Sequence, residues 1–218
     1  MLADRVKMGS IVKKEFVYYP VDKIIDDFNK SNALWNYEYY YLEDIELSTD
    51  SYEGPYALKI MYLSGGEKPF PVSTTGLPNY PKRGQRFSFY AKESANFEGR
   101  GVEFIFGFQD FNNYYAIKLG RSNSARPSGL YKKTPTGEIG LANQIEGTAL
   151  ISNENYVKTV VDWLPDGQII VYDRYGEVSM SAYDTDFASG GIAFTMNQFK
   201  NNDVYALFDN VKIEGEWR

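Results

Sequence analysis

Apolar and polar residues alternate with a period of two through most of the second half of the chain. Phe87, Phe89 and Ala91 alternate with Arg86, Ser88, Tyr90 and Lys92. Val102, Phe104, Phe106 and Phe108 alternate with Glu103, Ile105 and Gly107, and Tyr115, Ile117 and Leu119 with Tyr114, Ala116 and Lys118. Successive side chains of a β-strand point to opposite faces, so this period predicts strands with one set in a core and the other on a solvated or ligand-facing surface. The stretch Val157–Arg174 adds a hairpin. Thr159, Val161 and Trp163 alternate with Lys158, Val160 and Asp162, then Pro165-Asp166-Gly167 precedes the β-rich run Ile169–Tyr172. Asp-Gly between two such runs signals a tight turn, because glycine supplies the positive φ. Trp163 falls on the core side of this pair.

Elsewhere the strands are shorter. Ile11-Val12 and Phe16–Tyr19 read as short strands stopped by Pro20, and residues 1–20 as an N-terminal arm. The aromatic run Tyr39–Tyr41 argues against a helix over 33–47. Residues 64–84 are rich in Gly and Pro and read as a crossing loop with a short strand at Pro71–Thr74. Leu130–Lys133 and Ile139–Leu141 flank the turn Pro135-Thr136-Gly137, and Val178–Tyr183, Ile192–Met196 and Tyr205–Ile213 complete the series. Many short strands between turn signals, with almost no helical pattern, predict an all-β, two-sheet antiparallel sandwich in one domain, residues 21–218.

Composition narrows the chemistry. Of 218 residues, 19 are Tyr and 14 Phe, which suits pleated faces and leaves aromatics for ligand surfaces. There is no Cys and no His. That excludes disulfides, thiolate nucleophiles, Ser-His-Asp triads and the usual zinc sites, and leaves hard cations such as calcium as candidate metals. A net charge of −6 argues against a nucleic-acid partner. No apolar run is long enough for a membrane-spanning helix, so no membrane insertion is expected. The opening MLADRVKMGSIVKK lacks the apolar core of a signal peptide.

The outward-facing set mixes aromatic platforms with charged hydrogen-bonding groups, the mixture that sugars require. It contains the candidate ligand-binding residues Tyr90, Glu103, Tyr114, Lys158 and Asp162, and a plain solvated face is the competing reading. Glycoside hydrolysis needs two carboxylates at a defined separation. Glu43-Asp44-Ile45-Glu46 is the nearest cluster in sequence, and Glu103 with Asp162 is the one pair that could meet across strands.

Several segments recur in a recognisable order: Ile25-Asp26-Asp27-Phe28, Gly54–Ile60, Phe106–Asp110 with Asn113–Ile117, Val161-Asp162-Trp163 with Asp166-Gly167, Ser189–Phe194, and Phe208-Asp209-Asn210-Val211. Over residues 24–213 this order resembles the concanavalin A-like lectin/glucanase jelly rolls, including laminin-G-like modules of viral tail proteins and microbial surface proteins. The resemblance implies paired terminal strands, a glycan on a concave face or its edge loops, and a structural calcium, with Asp26, Asp27 and Asp209 as candidate ligands. The glucanases of this superfamily carry Glu-x-Asp-x-x-Glu on one strand. Here Val102–Phe108 offers only Glu103, so no catalytic residue is assigned. Ala3–Lys7 resembles the start of many phage virion and tail-associated proteins, which implies a virion or cell-surface location and virion partners reached through residues 1–20. Three readings follow: a non-catalytic module adhering to a surface glycan or polysaccharide, a purely structural virion decoration protein, or a glycoside hydrolase or polysaccharide lyase. For a lyase, Tyr90 or Tyr114 with Arg86 would supply the base.

Overall fold

The computed structural model describes residues 15–29, 35–36, 45–61, 72–73, 80–94, 102–119, 129–196 and 204–218. Among these it has fifteen strands: β1 (Tyr18–Asp26), β2 (Trp35–Asn36), β3 (Ile45–Ser48), β4 (Ala57–Met61), β5 (Val72–Ser73), β6 (Gln85–Glu93), β7 (Val102–Asp110), β8 (Asn113–Leu119), β9 (Gly129–Thr134), β10 (Gly137–Asn143), β11 (Val157–Trp163), β12 (Gln168–Tyr172), β13 (Val178–Tyr183), β14 (Gly191–Met196) and β15 (Tyr205–Trp217). They form two sheets. Sheet I runs β13-β12-β11-β6-β15-β4-β3, with β1 also on β15, and sheet II runs β10-β9-β8-β7-β14-β5-β2. All the strand pairings are antiparallel. The expected all-β jelly-roll sandwich is therefore the observed architecture.

The alternation read from the sequence builds the core. Phe87 and Phe89 of sheet I meet Phe104 and Phe106 of sheet II, with Phe89 stacked on Phe104 at 4.0 Å between ring centroids. Trp163 is wholly buried and meets Phe106 and Tyr115 edge-on. Such pairs add roughly 0.5–1.5 kcal/mol each beyond the area they bury. The hairpin forms as expected: β11 and β12 pair from Val160↔Tyr172 to Trp163↔Ile169, and Gly167 takes φ +99° in the turn.

Two expectations need correction. Phe108 does not continue the core parity of β7. Gly107, at φ +61°, makes a bulge that shifts the register against β8 between Phe106 and Asp110. The bulge turns Phe108 onto the outer face, where it packs with Ile105, Ala116, Ala193 and Tyr114. The second correction concerns the arm. Residues 1–14 lie outside the described residues, but β1 continues past Pro20, with register irregularities between Pro20 and Lys23 and between Ile24 and Asp26, and pairs with β15 from Tyr18↔Trp217 to Asp26↔Val211. Val17 and Arg218 also exchange backbone hydrogen bonds. Residues 15–20 are thus part of the sandwich. Among the described residues β1 has β15 as its one sheet partner, an edge position where proline is tolerated.

Candidate functional site

The five sequence-predicted ligand residues do not form one site. Tyr90, Lys158 and Asp162 lie on β6 and β11 of sheet I, whereas Glu103 and Tyr114 lie on β7 and β8 of sheet II. Each alternates with core residues of its own strand, so the two groups face away from each other on opposite sides of the sandwich. Glu103 and Asp162 therefore do not flank a common bond. Glu43 and Asp44 lie outside the described residues, and Glu46 is paired with Lys59.

On sheet I the outward groups are already engaged. Asp162 is 1% exposed and accepts hydrogen bonds from Arg86 Nε (2.8 Å) and Nη2 (2.7 Å), Tyr172 Oη (2.9 Å) and Trp217 Nε1 (2.9 Å). The hydrogen bond to Asp162 holds the Arg86 guanidinium well above its ordinary pKa, and the rings of Tyr18, Tyr172 and Trp217 surround it. Lys158 pairs with Glu214 at 2.6 Å, and Ser88 Oγ donates to the same carboxylate. Tyr90 is covered by Tyr52, whose ring stacks on it at 3.6 Å and 16°. Burial, with the Tyr52 hydroxyl beside it, pushes the Tyr90 phenol above its ordinary pKa.

The predicted metal ligands also separate. Asp26 is buried, and its carboxylate accepts from the Phe28 amide in a tight local turn. Asp209 is fully buried beneath the 48–56 loop and accepts from the Tyr52, Glu53 and Asn210 amides. Burial outweighs those amides and raises its pKa. Asp27 lines an open cleft of about 130 Å³ with Asp22, Asn29, Glu53, Asn210 and Lys212. Among the described residues no three carboxylates gather at metal-binding spacing. Asp26 and Asp209 are occupied by backbone donors, so the three predicted residues do not fit a shared calcium ion.

Sheet II presents a different outer face. The cross-strand row Gly140–Tyr131–Ala116–Ile105–Ala193 runs across it, and the next row carries Lys118, Glu103 and Thr195. Ala116, Ile105 and Ala193 are buried, with Phe108 and Tyr114 packed against them, and the row opens to solvent at Gly140, beside Tyr131. Tyr131 lies against Gly129, where a Cβ would fall 2.6 Å from its ring. Lys118 stands 3.9 Å from the centroid of that ring and bridges Glu138 at 2.5 Å and Glu103 at 4.0 Å. Thr195 Oγ1 is buried with no hydrogen-bond partner among the described residues. Neither Tyr131 nor Thr195 stands out in the sequence as a ligand candidate. The available signal is that Tyr131 follows the core residue Leu130 and lies between glycines at 129 and, across the strand, 140.

The Gly107 bulge also places Glu103, Ile105 and Phe108 on one outward face. Those are the three positions of a Glu-x-Asp-x-x-Glu spacing, and two of them are apolar here. A glycosidase needs two carboxyl groups about the scissile bond; of these three positions only Glu103 supplies one, and the strand's other acid, Asp110, lies at its exposed end and accepts from Asn112 and Asn113.

No family model matches the chain, and no curated protein sequence matches it. Solved structures do. The chain is similar to a Bacillus licheniformis beta-glucanase, with a TM-score of 0.59 and 14% identity over 93% of this chain and 99% of that one. It is similar to the kappa-carrageenase of Pseudoalteromonas carrageenovora, solved with an oligotetrasaccharide of kappa-carrageenan, with a TM-score of 0.56 and 12% identity over 98% and 100% of the two chains. It is also similar to the carbohydrate binding module CBM66 of Bacillus subtilis, with a TM-score of 0.52 and 15% identity over 78% and 91%. The fold is the concanavalin A-like jelly roll. At these identities the likeness establishes the fold, and the outer faces have to be read from their own residues.

Proposed function

We propose that this chain is a non-catalytic glycan-binding module that takes its ligand on the outer face of sheet II. One observation carries the reading: the bulged strand β7 presents Glu103, Ile105 and Phe108 outward, where hydrolysis would need a pair of carboxylates. Glu103 and Glu138 are both tied to Lys118 by ion pairs, and such a pair beside the rings of Tyr131 and Tyr114 can hold a sugar without cleaving it. The ring faces take the apolar C–H surface of the sugar, and Lys118 with its carboxylate partners Glu103 and Glu138 meets its hydroxyls. The fold-level likeness to a carbohydrate binding module and to two polysaccharide-cleaving enzymes supports the ligand class. A virion-surface location belongs to the same proposal and rests on the resemblance of residues 3–7.

A glycan-binding screen followed by titration calorimetry tests it. Wild type is expected to bind at least one oligosaccharide, and Tyr131→Ala and Tyr114→Ala are each expected to weaken that binding about tenfold, the equivalent of roughly 1.4 kcal/mol. No reducing ends are expected on prolonged incubation. A screen with no hit sinks the reading, and sugar release that vanishes in Glu103→Gln replaces it with the hydrolase reading. Running the screen with added calcium and with chelator tests the calcium expectation separately: unchanged binding and unchanged melting temperature are expected, and a chelator-sensitive change in either would restore the ion.

A further inference from the structure

The 48–56 loop is held onto the outer face of sheet I far more firmly than a connecting loop requires. Asp209 Oδ2 accepts from the Tyr52 and Glu53 amides at 2.7 and 3.0 Å, although these residues lie more than 150 positions away in sequence. Tyr156 Oη donates to the Asp50 carbonyl at 2.6 Å, and Lys92 pairs with the Asp50 carboxylate at 2.7 Å. Asn210 Nδ2 donates to Glu53 Oε2 at 2.5 Å, and Ser51 Oγ to the Gly54 carbonyl at 2.7 Å. These ties fix one aromatic ring in the open. Tyr52 is 49% exposed while its inner face lies on Tyr90 and Tyr156 meets it edge-on. Its rotamer is set before any ligand arrives, so little ordering entropy remains to be lost on binding.

We propose that Tyr52 is the platform of a second sugar site, on the opposite side of the sandwich from sheet II, and that its ligand is a neutral pyranose ring. The surroundings decide the ligand class. Around the ring the cations are already paired, Lys92 with Asp50 and Lys158 with Glu214. Among the described residues an acidic ligand finds no uncommitted positive charge there. A protein partner would have to bury these ion pairs around a single ring, and desolvating them costs more than the ring's contact returns. A sugar instead stacks its C–H face on Tyr52 and leaves the ions in water, its hydroxyls bonding to Asp50 and Lys158 at the rim. The ligand class rests on the glycan-binding reading above, but the location does not.

Amide chemical-shift mapping of the full chain separates the two. The probes are a neutral β-glucan hexasaccharide, with a sulfated galactan oligosaccharide as the acidic control. The expected result is a set of shifts at residues 50–56, 90 and 156–158 with the neutral probe alone. Tyr52→Ala should abolish that set and leave any set at residues 103–118 and 129–133 in place, while Tyr52→Trp should retain it. The loop is tied through backbone amides, so Tyr52→Ala is expected to stay folded, with a cooperative transition shifted a few degrees down by loss of the Tyr90 and Tyr156 contacts. Shifts confined to sheet II would overturn the second site and leave the glycan-binding function standing. No shifts on either face, with an empty glycan screen, would overturn both. Loop shifts that track protein concentration without sugar would identify a second copy as the occupant and overturn the ligand class.

Discussion

Asp162→Ala is expected to destabilise the protein by about 3–5 kcal/mol, the range for breaking a buried ion pair by removing one partner. For a chain of this size that corresponds to a fall in melting temperature of roughly 10 °C. The cost comes from what the substitution strands. The Arg86 guanidinium is left among the rings of Tyr18, Tyr172 and Trp217 with no carboxylate, and the Tyr172 hydroxyl and the Trp217 indole N–H lose their acceptor. Trp217 ends β15 and Tyr18 starts β1, so the loss falls on the pairing of the two terminal strands. Hydrogen exchange should therefore accelerate first at β1 and the end of β15. The double variant Arg86→Met/Asp162→Leu is expected to recover much of the loss, because replacing both partners of a buried pair by apolar groups is often close to neutral. A loss below 1 kcal/mol for Asp162→Ala would show that the network does not tie the termini.

The same residue illustrates what the sequence does and does not contain. Alternation along Val157–Trp163 correctly separates Trp163, in the core, from Asp162, on the other face. Parity is a local property, set by the period of the strand itself. It does not state which sheet a strand joins or what lies across the outer face. Asp162 meets Arg86 from 76 positions away and Trp217 from 55, and these partners convert a candidate ligand group into a buried anchor. Tyr52 carries no mark in the sequence for the same reason. Nothing local marks a tyrosine in a turn, and it becomes a presented ring only because Asp209 captures its amide from the far end of the chain. Phe108 had a readable signal, the glycine before it inside an otherwise regular strand, since such glycines often mark bulges.

The two outer faces then divide the chemistry. Sheet I spends its charged residues on one another, in the pairs Arg86–Asp162, Lys158–Glu214, Lys92–Asp50 and Lys59–Glu46. Sheet II carries, among the described residues, a buried outer row of Ala116, Ile105 and Ala193, a buried Thr195 hydroxyl and the buried carboxylate of Glu103, with Tyr131 and Lys118 beside them. The Gly107 bulge brings the three positions of the Glu-x-Ile-x-x-Phe spacing to one side. On a strand without a bulge, positions 103 and 108 would point to opposite faces.

Lys132→Met is expected to cost about 3 kcal/mol near neutral pH, again by leaving a buried charge without its partner. Lys132 sits on the core side of β9, and its ammonium bridges the carboxylates of Asp184 and Asp186. Asp184 also accepts from Tyr115 Oη at 2.6 Å, so the loop after β13 is tied to sheet II through this cluster. Burial opposes both charges, yet the two carboxylates hold the Lys132 pKa above its ordinary value, and Lys132 with the Tyr115 hydroxyl holds Asp184 below its own. The signs fix the pH window. The depressed carboxyl contributes stability that is present above its unfolded pKa and lost as pH falls through the lower folded value. The raised ammonium contributes stability that is present below its unfolded pKa and lost as pH rises through the higher folded value. The cluster is therefore at full strength between about pH 5 and 9. Urea unfolding of wild type and Lys132→Met across pH should show a constant gap over that window, narrowing on acidification below about pH 4 as Asp184 takes up its proton. A gap that stays the same down to pH 2 would mean that Lys132 contributes through the packing of its aliphatic stem and not through its charge.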